Sequence, residues 1–475
     1  MKLKTNALAY YNDISESIRA FIDEKQIELT SDGADITVSL FEENGVLSAN
    51  ACYNDVTEHF VEDKTFKDEL EKKRLEKHTV KMATYNVLKK ALNKELPWGA
   101  LTGIRPTKLV REFPENTQEV LKQRYDLPNE KTLLLKTICD AQKEFFEIPD
   151  NEIDVYLGIP FCKTRCSYCS FSSTDSTKGR KLMEPYVKAI KKEITLCAQL
   201  IKELDKKVRC IYVGGGTPTA LDEDLFEEFL CAVVENFKAE REFTVEAGRP
   251  DTITRKKLEI MKKCGVDRIS INPQSMNDET LKKIGRSHSA KEIEECFALA
   301  NKIGFKTINT DLIAGLEGET PEMFFYTLNK VLELNPQNIT VHTLAIKHGS
   351  KLFEQGAHFE NEEHVRLMVE GAQKILAQKG YLPYYLYRQK YMTGNFENIG
   401  YAKPGHIGVY NIDIMEETAD IMALGCGGAS KKIFKDENRI ERAFNFKSIY
   451  AYIQDIDTQF ERKKELYLTQ YKKEL

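Results

Sequence analysis

Tyr156-Leu-Gly-Ile-Pro-Phe-Cys162-Lys-Thr-Arg-Cys166-Ser-Tyr-Cys169 places three cysteines in a C-x3-C-x2-C spacing directly after a short apolar run that reads as a β-strand. Three thiolates on one loop can surround a single metal centre. Zinc is the alternative to weigh, but structural zinc takes four protein ligands in paired C-x2–4-C units, and no second pair follows here. On a four-iron cubane, three cysteines leave one iron without a protein ligand. Such an opening suits a cluster that binds a substrate or cofactor better than one that only carries electrons.

The loop sits at the start of a regular pattern. Six apolar strand-like runs, at 153–159, 210–213, 243–245, 268–271, 307–313 and 339–344, alternate with amphipathic segments at roughly 181–204, 223–238, 253–264, 291–303 and 321–334. Asp222 and Thr252 stand at helix N-cap positions, and Thr320 precedes Pro321 at a first helical position. Gly265 and Gly304 fall where a left-handed C-terminal cap is expected. Repeated strand–helix units imply a parallel sheet. Six units are too few for an eight-fold barrel, so the expected fold is α/β, a partial (β/α)6 barrel over 151–350. Before it, residues 1–150 read as an N-terminal α+β accessory domain. Alternation in Ile36-Thr-Val-Ser-Leu-Phe41 and Val46-Leu-Ser-Ala-Asn-Ala-Cys52 predicts two strands joined at Asn44-Gly45. The charged stretch from Glu58 to Lys94 predicts one or two solvated helices, and Thr102-Gly-Ile-Arg-Pro-Thr-Lys108 an ordered loop. After the barrel, 351–475 reads as a mixed α/β extension that covers the substrate. It holds a helix at about 361–379, the aromatic run Tyr381-Leu-Pro-Tyr-Tyr-Leu-Tyr387 and the glycine-rich Leu424-Gly-Cys-Gly-Gly-Ala-Ser430.

Bulk properties bound the function. The 475 residues are 41% hydrophobic and 30% charged with a formal net charge of −5, which lends no support to a general nucleic-acid surface. No apolar run is long enough to span a bilayer. The N-terminus, Met1-Lys-Leu-Lys-Thr-Asn6, meets Asn12, Asp13 and Glu16 before any signal-peptide core can form, so a cytoplasmic protein is expected. Eleven cysteines, an odd number, argue against a disulfide framework. The eight outside the triad read as small buried hydrophobes.

The triad, with Tyr168 just before its third cysteine, resembles the signature of the radical S-adenosylmethionine (radical SAM) superfamily. The resemblance implies a [4Fe-4S] cluster on Cys162, Cys166 and Cys169, whose open iron chelates S-adenosylmethionine. One electron then cleaves the sulfonium and releases a 5′-deoxyadenosyl radical. The family fold is a partial barrel of about six strand–helix units, with its site at the C-terminal ends of the strands. Residues at those ends match family cofactor contacts. In Gly214-Gly-Gly-Thr-Pro-Thr219, after the second strand, Gly215, Gly216 and Thr217 correspond to a segment that approaches the methionine amino group. Glu246 matches an acid on the ribose, Gln274 and Asp311 further contacts, and Arg286 in Gly285-Arg-Ser-His288 an arginine near the carboxylate.

Tyr156 six residues before the first cysteine, Gly-Gly-Gly-Thr-Pro-Thr, Gly-Arg-Ser-His and Thr310-Asp-Leu-Ile-Ala-Gly315 together resemble the oxygen-independent coproporphyrinogen III oxidase group, over about 150–430. Tyr156 matches a cofactor-binding tyrosine of that group. Pro97-Trp-Gly-Ala-Leu-Thr-Gly-Ile-Arg-Pro-Thr-Lys108 and Tyr387-Arg-Gln-Lys-Tyr-Met-Thr-Gly-Asn-Phe-Glu-Asn398 are similar to its HemZ-type branch, which carries an added N-terminal domain. The implied reaction is oxidative decarboxylation of coproporphyrinogen III to protoporphyrinogen IX in haem biosynthesis. It requires an electron donor for the cluster and an electron acceptor. Arg105, Lys108, Arg388, Lys390 and Lys403 are candidates for the substrate carboxylates because guanidinium and ammonium groups bind them. Tyr384, Tyr385 and Tyr387 could pack on a tetrapyrrole face. Two positions depart from the pattern. A fourth cysteine, two places beyond the third in that group, is replaced by Phe171, as in the related haem-trafficking branch. In Pro404-Gly-His-Ile-Gly-Val-Tyr410-Asn411, Tyr410 stands where that branch has a histidine, leaving His406 as a possible haem ligand. A haem-delivery protein and a radical enzyme acting on haem remain the alternative functions.

Overall fold

A computed structural model describes residues 1–22, 26–103, 105–171, 173–357, 361–389 and 392–469. The chain forms two compact units, one of residues 1–136 with 394–396 and one of 137–393 with 397–475.

The first unit is a five-stranded sheet, ordered Glu28–Leu29, Lys2–Thr5, Ile36–Glu43, Val46–Tyr53, Val56–Val61. The expected hairpin turns at Asn44 (φ 52°) and Gly45 (φ 78°), the left-handed pair that a two-residue connection requires. The charged stretch departs from expectation. Its start is the edge strand Val56–Val61, and its helix, Glu69–Leu92, buries Leu75, Val80, Met82, Ala83, Val87 and Leu88. The charges occupy the outward side of an element whose other side joins a core with Ile14, Ile18, Ile36, Val38 and Ala49. The loop before Lys108 becomes helical at Thr107–Glu112.

In the second unit, β1 (Glu152–Ile159), β2 (Lys207–Gly215), β3 (Glu242–Gly248), β4 (Arg268–Ile271), β5 (Thr307–Ala314) and β6 (Asn338–Thr343) pair in parallel in that order. The crossovers are Arg180–Glu203, Glu223–Asn236, Arg255–Lys263, Ala290–Ile303 and Pro321–Leu334. Their ends follow side-chain chemistry. Ser289 and Glu292 form a capping box, Thr320 caps before Pro321, and Gly304 closes its helix at φ 85°. Thr254 caps the third crossover where Thr252 was expected, because Pro250–Thr252 forms a 3-10 turn first. Asp222 stands at its N-cap position without a capping bond and faces Arg180 instead.

The segment expected as a separate C-terminal domain is part of this same sheet. β7 (Leu382–Tyr387) and β8 (Asn398–Ala402) add antiparallel beyond β6, while β9 (Ile421–Gly425) lies parallel beside β1 and is followed by β10 (Ala429–Phe434) and β11 (Arg439–Phe444). The result is an open eleven-stranded sheet ordered β7-β8-β6-β5-β4-β3-β2-β1-β9-β10-β11. Ladder bonds onto both flanks of the six-strand core remove the expected boundary at 350. The boundary expected at 150 falls instead at 136/137, because residues beyond it are tied into the second unit. Gln142 Nε2 donates to Tyr384 O at 2.9 Å, and Arg209 donates to Phe145 O at 3.2 Å. Among the described residues no helix is long and apolar enough to cross a membrane.

One buried ion pair fastens the last helix, Ile456–Leu468, to the barrel. Lys463 Nζ lies 2.6 Å from Glu193 Oε1, both fully enclosed, and Glu193 also accepts from Tyr452, Asn445 and the Gly425 N–H. Lys463→Met leaves Glu193 buried without its cation and is expected to cost about 3 kcal/mol, read as a lower urea midpoint for the second unit.

Candidate active site

The cysteine loop leaves β1 and is held at many points. Cys162 lies in a two-residue strand, Phe161–Cys162, paired with Thr174–Asp175. Ser167 N donates to Ile284 O at 3.0 Å, Thr164 Oγ1 to Gly285 O at 2.6 Å, and Leu352 N to Ser167 O at 3.0 Å. Arg249, paired with Asp251 at 3.1 Å, donates to both oxygens of Thr164. Cys162, Cys166 and Cys169 are all free thiols, and burial pushes Cys162 and Cys169 above the usual thiol range, so taking up a metal centre must release their protons. Thr217 Oγ1 donates to Cys162 Sγ at 3.6 Å. Gly216 is obligatory, since a Cβ there would lie 2.6 Å from Phe161 O and 3.1 Å from Cys162 Sγ. Arg286, buried beside Cys166, donates to Tyr168 Oη at 3.2 Å and to Asn272 O, while its Nε has no partner. Three sulfurs in no disulfide, on one anchored loop with a buried cation beside them, fit an anionic iron–sulfur cluster. Phe171, where a fourth cysteine would stand, is 63% exposed.

Next to this loop, a cavity of about 580 Å³ opens over the inner face of the sheet. Six of the expected cofactor contacts line it: Tyr156, Tyr168, Gly215, Glu246, Gln274 and Asp311. Gly216, Thr217 and Arg286 lie off the cavity, packed against the cysteine loop. Glu246 accepts from Tyr212 Oη at 2.5 Å, and burial, reinforced by Asp311, pushes its carboxyl up to about 7. Asp311 is held below the usual range by His342, Asn309 and Thr340 despite its burial, with Asn309 Nδ2 at 3.0 Å. Gln274 has a φ of +68°, costly for a side-chain-bearing residue, and is locked there by paired bonds to β5 through Asp311 O and Ile313 N.

The cavity also holds Tyr212, His342, Lys347 and Lys431, which the motifs did not single out. Tyr156, Tyr212 and Tyr410 stack in series, Tyr156 to Tyr212 at 6.3 Å and Tyr212 to Tyr410 at 4.4 Å, and the buried Tyr410 hydroxyl has no partner. Tyr212 and His342 share inward alternation with Gly214 and Thr340, the signal that could have found them. His342 lies 3.3 Å from Tyr387 Oη and 3.8 Å from Asp311. Lys347 and Lys431 also face the cavity, and burial pushes the Lys347 ammonium below the usual lysine range.

The substrate candidates fare unevenly. Tyr385 and Tyr387 line the cavity, whereas Tyr384 is packed away against Arg268 and Asn411. Arg388 is buried off the cavity, and desolvation lowers it to about 10. Lys390 lies outside the described residues. Lys403, expected at the substrate, lies away from the cavity. It follows Ala402, which pairs with Asn338 at the start of β6, and so occupies the opposite end of the sheet, bonded to Asn335. His406 is also remote, its Nδ1 2.9 Å from Thr307 Oγ1. Arg105 and Lys108 belong to the first unit.

Residues 156–331 match the model of the radical SAM superfamily, and the chain is therefore a radical SAM protein, of a class that uses a [4Fe-4S] cluster and S-adenosylmethionine. Within that class it belongs to the oxygen-independent coproporphyrinogen-III oxidase-like family. It is 40% identical over 391 residues to the oxidase-like protein HemZ of Bacillus subtilis (strain 168), covering 79% of this chain and 78% of that one. The heme chaperone HemW of Escherichia coli (strain K12) is 28% identical over 294 residues, 60% of this chain and 71% of that one. Among solved structures, coproporphyrinogen III oxidase HemN from Escherichia coli shares the fold, with a TM-score of 0.53 at 23% identity over 67% of this chain and 72% of that one.

Glu246 gives a pH signature. Folding raises its pKa from the usual 4.5 to about 7, so the fold favours the protonated carboxyl. Its contribution to stability is whole below pH 4.5 and is lost as pH climbs to about 7. Glu246→Gln is therefore expected to gain on the wild type by about 3 kcal/mol between pH 5 and pH 8 in urea titrations. Cys166→Ala should fail to hold a four-iron cluster, read as lost iron, sulfide and visible absorbance after anaerobic reconstitution.

Proposed function

We propose that this chain catalyses the oxidative decarboxylation of coproporphyrinogen III to protoporphyrinogen IX. The observation that carries the reading is the joining of the cysteine loop, through Tyr168 and Cys169, to an aromatic cavity with cationic groups on both flanks. Its resemblance to HemZ over most of both chains supports the same reading. When bound, the cluster and S-adenosylmethionine supply a one-electron sulfonium cleavage and so a hydrogen-abstracting radical. The protein's own residues do the rest. Arg286 holds positive charge beside Cys166, and Gln274, Glu246 and Asp311 present polar atoms on one wall of the cavity. Tyr385 and Tyr387, parallel within 5° at 6.4 Å, offer faces against which a macrocycle can lie. Loss of a β-hydrogen atom, carbon dioxide and one electron from a propionate leaves a vinyl group. The electron passes to an acceptor, and a separate donor reduces the cluster. Water exclusion by the aromatic wall protects the radical stage.

Haem delivery is the second reading, favoured by the HemW relatives and by Phe171. Against it, Tyr410 replaces the histidine of that branch. The deciding experiment combines reconstituted protein, S-adenosylmethionine, a reductant, an electron acceptor and coproporphyrinogen III without oxygen, followed by mass spectrometry. The proposal expects sequential loss of two carboxyl groups. Cofactor cleavage with no decarboxylated porphyrin would remove this substrate, and tight haem binding by the same preparation would then favour delivery.

A further inference from the structure

Lys347 stands just beyond the C-terminal end of β6, on the cavity wall beside Cys169. Its backbone is fixed from both sides. Ala345 bridges to Met392, and the Lys347 carbonyl accepts from Ser350 N at 3.0 Å and Ser350 Oγ at 2.8 Å. Ser350 in turn caps the helix Lys351–Glu354. That turn is tied to the cysteine loop by Leu352 N to Ser167 O and by Arg165 to Gly349 O. The ammonium therefore projects from a rigid support.

What Lys347 lacks is an anion. Among the described residues no carboxylate pairs with it, and its neighbour on this side is the Cys169 thiol. The cavity's acids are engaged elsewhere, Glu246 by Tyr212 and Asp311 by Asn309. Lys431, the lysine on the other flank, lies 3.8 Å from Glu417, which also takes Arg442 at 3.2 Å. A half-buried cation without a counter-charge is a cost that an incoming anion removes. Three anions could neutralise it here, the cluster beside Cys169, the carboxylate of the cofactor or one of the substrate, and the cluster's reduction potential reports on the first. The cofactor contacts implied by the family come from β1 to β5 and the cysteine loop, whereas Lys347 lies past β6 on the flank of Tyr385, Tyr387 and Gln389.

We propose that Lys347 binds a propionate carboxylate of the tetrapyrrole substrate and so positions the macrocycle against the cysteine loop, an inference that rests on the porphyrinogen reading above. The test uses cluster-loaded protein titrated with coproporphyrin III, the stable oxidised form, and with its tetramethyl ester. Lys347→Gln is expected to weaken coproporphyrin III binding about tenfold, with Lys347→Arg restoring most of it. The ester should bind wild type and Lys347→Gln alike. Affinity for S-adenosylhomocysteine and the cluster's reduction potential should be unchanged. Equal coproporphyrin affinity in wild type and Lys347→Gln overturns the inference and leaves the function standing. So does a change confined to cofactor affinity or reduction potential, which would make Lys347 a partner of the cofactor or the cluster. A wild type with no saturable coproporphyrin III binding overturns the porphyrinogen reading and this inference together.

Discussion

A row of residues without side chains crosses the sheet where β9, β1 and β2 run side by side. Gly425 pairs with Gly158, and Gly158 with Gly214. A Cβ would collide at the first of these and crowd a tyrosine ring at the other two. At Gly425 it would stand 2.3 Å from Gly158 O, at Gly158 3.2 Å from the Tyr156 ring, and at Gly214 3.0 Å from the Tyr212 ring. The stacked tyrosines thus lean along their own strands onto the glycine two residues ahead, which is the room that alternation on one face of a sheet leaves when a side chain is missing. Everything at the site builds on this. The tyrosines lie over the row on the cavity side, and immediately beyond it Gly216 N and Thr217 N bond back to Ile159 O and Phe161 O at 2.8 and 2.7 Å, seating the cysteine loop.

Charge is arranged around that floor with the same economy. Buried cations lie next to the cysteines, Arg286 in contact with Cys166 and Arg249 holding Thr164. The carboxylates stand on β3 and β5, at Glu246 and Asp311, each with a hydrogen-bond donor. An anionic centre beside cations and a polar, acid-bearing wall for a cationic sulfonium are mutually compatible demands.

The barrel was legible because its strands and helices obey two clean periods and their caps are local chemistry, as at Ser289, Thr320 and Gly304. The three cysteines were legible because a metal centre needs ligands close in sequence when one loop supplies them. What failed to show was long-range placement. Nothing in the run Tyr381–Tyr387 says that it will pair beyond β6, nor that Lys403 will end at the far side of the sheet, because strand direction is set by a partner distant in sequence. Lys347 escaped for a related reason, as did the place of Tyr410 in the tyrosine stack. A lone lysine or tyrosine has no spacing to read, and its meaning lies in which groups surround it in space. Gly216, Thr217 and Arg286 were legible as a set but stand behind the cysteine loop, off the cavity.

The neighbour of β1 on its outer side is β9, whose Ile421 pairs with Asp154. During synthesis from the N-terminus, the strand that leads into the cysteine loop therefore remains a bare sheet edge until residues 421–425 have been made. The long interval between these partners places their pairing among the slow, late events of folding. Gly425, which completes the floor beneath Tyr156, arrives in that same step. The cradle of the site is thus finished by β9, and a ribosome-bound fragment ending before it would carry all three cysteines on an unsealed support.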